Sequence, residues 1–152
     1  MSAAVARSAH LIHRGPRAIL ADWMAWPLVG ADADAVIADV RPVLGEDDIP
    51  FAAWFAARHR LAEEWLAASG AAQYVVLGAG LDSFAWRQTG SVRVFEVDHP
   101  STQAWKAARL EAIGAPVPDE LVRVPVDFER ERIGPALTAA GLDPALTCSS
   151  VG

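Results

Sequence analysis

The sequence predicts an α/β protein, part of a doubly wound parallel sheet preceded by an N-terminal helical cap. Three observations carry this expectation. Residues 74–77 are an uninterrupted apolar run rich in β-branched types, the pattern of a buried parallel strand. Gly78 and Gly80 break that run at once, and a helical pattern follows from about Leu81. Two later apolar runs, residues 92–97 and 122–126, each end on an aspartate, Asp98 and Asp127. In an open parallel sheet the carboxyl ends of the strands are the edge where ligands bind. A strand, a glycine turn and a helix with acids ending the next strands therefore make a Rossmann-like nucleoside-binding corner.

The elements follow in order. Residues 1–70 read as a helical cap, and residues 71–152 as the first half of the sheet domain. A first helix is expected from Ala3 to His13, stopped by Gly15-Pro16. A second runs from Pro16 to Trp26 and stops at Pro27, with Trp23 and Trp26 sharing one face. A third spans about residues 33–40. The longest covers residues 51–69, where Phe51, Trp54, Phe55, Leu61, Trp65 and Leu66 recur at helical spacing before Gly70. An aromatic cage for a cation is one reading of these rings. Packing of Trp54, Phe55 and Trp65 onto the sheet or the earlier helices is the expected one, as is burial of Trp23 and Trp26. Arg58, His59 and Arg60 interrupt the apolar pattern, either as a solvated stripe or to aim a guanidinium at a ligand carboxylate.

From Gln73 onward strands and helices alternate. Helices are expected over residues 81–88, 100–113 and 129–140, with Pro100 at a favoured first-turn position and Pro135 interrupting the last. A fourth strand begins near Leu146. Right-handed crossovers place the first three strands side by side. Because the chain ends as the fourth strand begins, the outer flank of the first is expected to be unpaired or nearly so. That predicts a shortened form of a larger protein, and self-association through the exposed edge.

Composition excludes several classes. The chain has 152 residues, is 53% hydrophobic and carries a formal net charge of −6. That is enough apolar material for a core, and it lacks the basic face that nucleic acid requires. No apolar run approaches the ~20 residues of a membrane helix. Cys148 is the only cysteine, so no intramolecular disulfide forms and a reducing, cytoplasmic setting is expected. No metal-ligand spacing stands out.

Two cofactors suit a glycine corner with an acid ending the second strand. A dinucleotide asks for a third glycine, but Ser83 stands there, and Asp82 would lie beside the pyrophosphate. S-adenosyl-L-methionine carries no phosphate and tolerates acids near the turn. Asp127 and Phe128 suit an adenine, one accepting from its amine and the other flanking its ring.

The segments GAGLDSFAWR (78–87), VFEVDHPSTQAWK (94–106), VPVDF (124–128) and AGLDP (140–144), taken in order, resemble the leucine carboxyl methyltransferase family. The resemblance covers about residues 50–145, and the segment 147–152 departs from the family's pattern. It implies a class I methyltransferase fold and S-adenosyl-L-methionine as cofactor. Position by position, it implies that Gly78 and Gly80 line the methionine portion, Asp98 holds the ribose, and Asp127 and Phe128 hold the adenine. Arg58 matches a family arginine that pairs with the cofactor's carboxylate. Glu96 and Asp82 are secondary candidates, and His99 receives no role. The expected activity is methyl transfer to a carboxylate of a small molecule or peptide, with no dedicated catalytic residue. The alternatives are an NAD-binding oxidoreductase domain and a non-catalytic, shortened binding subunit.

Overall fold

The computed structural model describes residues 3–30, 49–146 and 148–151. The helix expected over residues 33–40 and the side chain of Phe51 lie outside the described residues. The chain divides into two compact units, Met1–Glu64 and Trp65–Gly152.

The first unit begins with α1 (Ala3–Arg14), followed by a 3-10 turn (Gly15–Arg17) and α2 (Ala25–Val29). It then takes in most of the long helix α3 (Ile49–Ser69). The second expected helix is not formed as one piece. Pro16 starts only the 3-10 turn, and Pro27 lies inside α2, in its first turn, where a missing N–H costs no helical bond. Trp23 therefore precedes α2, so it does not share a helix face with Trp26, and it is 56% exposed.

Polar contacts inside this unit are specific. The Arg7 Nε donates to Asp22 Oδ2 at 2.6 Å, with both side chains buried. Asp22 Oδ1 also accepts from the Ala25 N–H at 3.1 Å, which fixes the entry to α2. His59 lies 3.0 Å from Arg7 through Nε2 and contacts the Phe55 carbonyl through Nδ1. The His10 Nε2 accepts from the Ile19 N–H, and burial together with the Arg14 charge lowers its pKa. The expected burial of Trp54 fails, since it is 55% exposed with its ring edge-on to Phe55.

The second unit is a four-stranded parallel sheet in the order β3-β2-β1-β4. Its strands are β1 (Gln73–Leu77), β2 (Arg93–Asp98), β3 (Leu121–Pro125) and β4 (Cys148–Val151). Its helices are α4 (Phe84–Arg87), α5 (Pro100–Ala112) and α6 (Ile133–Ala139). Alternate residues of β1, β2 and β3 feed opposite faces. Tyr74, Val76 and Val94 pack with Leu66, Phe84 and Ala85 on one side. Val75, Phe95, Val97, Val124 and Val126 pack with Leu137 on the other. Burial on both faces is why these strands read as continuous apolar runs. Trp65, at the start of this unit, contributes nothing to either cluster and is 67% exposed, against expectation.

Two expectations about elements change. The last helix starts at Ile133 rather than near Glu129, because residues 128–130 form a turn headed by Asp127. Pro135 then sits in the first turn of α6 instead of interrupting it. The outer flank of β1 is also not free. β4 pairs with it in parallel from Gln73↔Cys148 to Val76↔Val151. The Gln73 side chain fixes the approach of that strand, donating to the Asp143 carbonyl and accepting from the Asp143 N–H, both at 2.8 Å. The self-association edge proposed on β1 is therefore covered.

Candidate functional site

The site is assembled at the carboxyl ends of β1, β2 and β3. The chain leaves β1 through Gly78 (φ +64°) and Gly80 (φ +49°), both in left-handed backbone that L side chains rarely adopt. Gly78 and Ala79 donate their N–H groups to the Val97 carbonyl at 2.8 and 3.2 Å, which holds the corner against the end of β2. A Cβ added at Gly78 would meet nothing within 4 Å, so bare main chain there faces open space.

Asp98 ends β2 and is buried. Its Oδ2 accepts from the Gly80 N–H at 2.6 Å, and its Oδ1 from the following His99 N–H at 2.6 Å. A carboxylate has about four lone-pair sites, so two remain for a ligand. The Asp98 carbonyl accepts from the Val126 N–H at 2.9 Å, joining the end of β3 to the same border. Asp127 is the next residue. Its Oδ1 accepts from the Glu129 N–H, and its own N–H donates to Glu131 Oε2 at 2.8 Å. Phe128 stands beside it, 46% exposed. Hydrogen bonds thus bring Gly78, Gly80, Asp98 and Asp127 to one sheet border, with Phe128 following.

Arg58 belongs to the other unit. It is exposed, with its guanidinium 5.7 Å from the Trp54 ring centroid and 6.0 Å from that of Phe55. Its neighbours are accounted for, since His59 joins Arg7 and Arg60 pairs with Glu64 at 2.7 Å. Among the described residues Arg58 has no ion-pair partner.

His99 gains the role the sequence withheld. It is the N-cap of α5, with Nδ1 accepting from the Ser101 N–H at 3.2 Å. Asp98 is thereby released from capping. The N-cap of α4 is Ser83, and Asp82, one residue earlier, accepts from the Phe84 N–H through Oδ1 at 2.9 Å.

Sequence reasoning missed Lys106. Its Nζ donates to both oxygens of Glu96 at 2.7 Å and to the Asp82 carbonyl at 2.6 Å. Both side chains of the pair are 2% exposed. Burial pushes the Glu96 pKa up to about 7, against the opposing pull of Lys106. The signal was present: an acid in the middle of an apolar strand needs a buried partner, and Gln103, Lys106 and Leu110 form the inward face of α5.

Gly80→Ala is expected to be tolerated sterically, since the added Cβ would meet only the Gly78 carbonyl at 3.8 Å. Left-handed backbone costs an L residue roughly 1–2 kcal/mol, so thermal melting should show a drop of a few degrees. An unchanged melt would show that the corner relaxes out of that conformation.

A profile of the leucine carboxyl methyltransferase family matches residues 1–150. The match extends through the cap, beyond the motifs the sequence reading relied on. Three relatives carry the provisional name S-adenosyl-L-methionine-dependent methyltransferase. One from Mycobacterium sp. (strain JLS) is 35% identical over 158 aligned residues, 91% of this chain and 51% of that protein. One from Mycobacterium tuberculosis is 39% identical over 102 residues, 63% of this chain and 32% of its own. One from Bacillus subtilis is 48% identical over 64 residues, 40% of this chain and 21% of its own. The chain thus spans about half the length, or less, of these relatives. With the profile matched almost end to end, and an α/β sheet carrying the glycine corner and the two strand-end acids, the chain belongs to the leucine carboxyl methyltransferase family.

Proposed function

We propose that this chain binds S-adenosyl-L-methionine at the border of β1, β2 and β3 and serves methyl transfer to a carboxylate oxygen of a small molecule or peptide. The observation that carries the reading is the bond from the Gly80 N–H to Asp98 Oδ2. It sets bare glycine main chain beside an acid whose remaining lone pairs suit a ribose diol. Open space over Gly78 suits a ligand lying against the backbone. In this reading Gly78 and Gly80 line the methionine portion, Asp98 takes the ribose hydroxyls, and Asp127 and Phe128 take the adenine. Arg58, exposed and without an ion-pair partner among the described residues, takes the cofactor's carboxylate.

The cofactor supplies a methyl group activated by a sulfonium, which an ionised carboxylate accepts without proton transfer. A carboxylic acid with an ordinary pKa near ~4 is already ionised at neutral pH, so no residue is assigned as a base. The protein's contribution is orientation of the two partners and exclusion of water around the acceptor. The net charge of −6 favours a cationic cofactor over an anionic dinucleotide. A single cysteine suits a reducing, cytoplasmic setting. No described helix is long and apolar enough to cross a membrane.

Isothermal titration with S-adenosylhomocysteine and, separately, with NAD tests the reading. Binding of the first alone is expected, and binding of NAD alone would replace the proposal with an oxidoreductase domain. Arg58→Ala should weaken S-adenosylhomocysteine binding roughly tenfold, the order of one charge-assisted contact. Equal affinity in the variant would return Arg58 to a surface role.

A further inference from the structure

The buried Lys106 ammonium has three donors, and all three are used. Two go to Glu96, and one goes to the backbone carbonyl of Asp82, which belongs to a different segment. The Trp86 ring centroid lies 5.2 Å from the ammonium and closes its remaining side. Glu96 and Asp98 are two residues apart on β2, so their side chains share one face of the sheet. On that face two contacts, among others, hold the chain between the glycine corner and α4. Asp98 holds the Gly80 N–H, and Lys106 holds the Asp82 carbonyl. Gln103 ties the helix carrying the lysine to the same strand, donating to the Glu96 carbonyl at 2.8 Å. Three charged groups act on Glu96, Lys106 on α5, Asp82 in the loop and Arg123 on the neighbouring strand β3, while β1 sets the uncharged Val76 opposite it.

An ion pair removed from water is costly to build, and apolar residues of similar volume often replace one without loss of stability. Stability alone therefore does not account for a lysine here. A methyl-terminated side chain would fill the same volume but would not grip the Asp82 carbonyl.

We propose that Lys106, oriented by Glu96, is a positioning residue that locks the segment Gly80-Leu81-Asp82 in the shape that receives the cofactor's methionine portion. Lys106 does not touch the cofactor in this scheme. It acts through the Asp82 carbonyl on the glycine corner, and Asp98 fixes the other end. The inference rests on the cofactor assignment proposed above.

The test compares wild type, Lys106→Met and the double variant Glu96→Gln/Lys106→Met. Thermal melting, S-adenosylhomocysteine titration and amide exchange at Leu81–Ser83 are measured on the full chain. Lys106→Met leaves a buried acid without its partner, so it loses stability as well as the anchor. The double variant removes both charges and should recover much of the melting temperature, while still lacking the grip on Asp82. It is expected to bind S-adenosylhomocysteine about tenfold or more weakly than wild type and to exchange the loop amides faster. A double variant with wild-type affinity and wild-type loop exchange would overturn the proposal and leave the pair a purely structural one. A wild-type chain that binds no S-adenosylhomocysteine would overturn the cofactor assignment itself, and this inference with it.

Discussion

Asp98→Ala is expected to weaken S-adenosylhomocysteine binding by roughly 100-fold or more, the largest effect on affinity of any single change considered. The substitution removes two things at once. It deletes the acceptor proposed for the ribose hydroxyls, and it releases the Gly80 and His99 N–H groups that the carboxylate holds at 2.6 Å. Hydrogen bonds to a charged group are worth about 1.5–3 kcal/mol each, and each 1.4 kcal/mol is a factor of about ten in affinity. Fold stability should fall as well, by about 2–4 kcal/mol, since both donors lose a buried partner. Asp98→Asn separates the two effects. Its single carbonyl oxygen can keep the Gly80 contact, so the melt should recover more than the affinity does. Titration and melting of both variants check this. Full affinity in Asp98→Ala, with a cooperative melt, would remove Asp98 from the cofactor site.

The sheet half of the molecule was legible because its signals are local and periodic. Apolar runs bounded by glycine or aspartate gave β1, β2 and β3 to within a residue or two. Pro100 marked the start of α5, and β1, β2 and β3 lie side by side as right-handed crossovers predict, whereas the pairing of β4 on the outer flank of β1 was not foreseen. What the runs could not reveal was which polar groups meet across segments. Asp98, expected to hold the ribose, also stands just ahead of the helix that begins at Pro100. Only coordinates show His99 taking the cap and Asp98 turning to Gly80. The short α4 was also overestimated. The Asp82 N–H donates to the Ala79 carbonyl and its Oδ1 accepts from the Phe84 N–H, so the chain turns at Gly80-Leu81 and the helix begins only at Phe84.

The cap was harder to read. Tryptophan at helical spacing normally signals a buried face, yet Trp54, Leu61 and Trp65 on α3 are each more than 45% exposed. Among the described residues of the first unit, burial falls instead on alanines, a few aliphatic residues and a charged pair. Ala4, Val5, Ala6, Ala25 and Leu28 are buried, and Arg7 and Asp22 are buried among them. Periodicity detects size and hydrophobicity, and it gives no weight to an arginine that finds its aspartate fifteen positions later. Arg58 stayed ambiguous for the same reason, because its neighbours His59 and Arg60 have partners of their own that spacing alone could not separate.

Lys106→Met is expected to destabilise the fold by about 3–5 kcal/mol, the range for removing one partner of a buried ion pair. The loss should depend on pH in a direction that the geometry fixes. Burial raises the Glu96 pKa from the ordinary 4.5 to about 7 even with Lys106 in place. Between those values the folded chain binds a proton that the unfolded chain has lost. The contribution of Glu96 to stability is therefore complete below about pH 4.5 and is lost as pH rises through 7. One pKa unit is worth about 1.4 kcal/mol, so in wild type this component amounts to about 3 kcal/mol across the window. Without Lys106 the acid loses its nearest counter-charge and keeps only the weaker pull of Arg123, so its pKa rises further and the variant should suffer more at pH 8 than at pH 6. Glu96→Gln/Lys106→Met removes both members of the pair and should be flatter with pH than either wild type or Lys106→Met. Chemical denaturation of the three proteins at pH 5, 6, 7 and 8 measures these slopes. A Lys106→Met variant whose deficit is the same at every pH would mean that Glu96 is hydrated in solution, contrary to its burial in the structure.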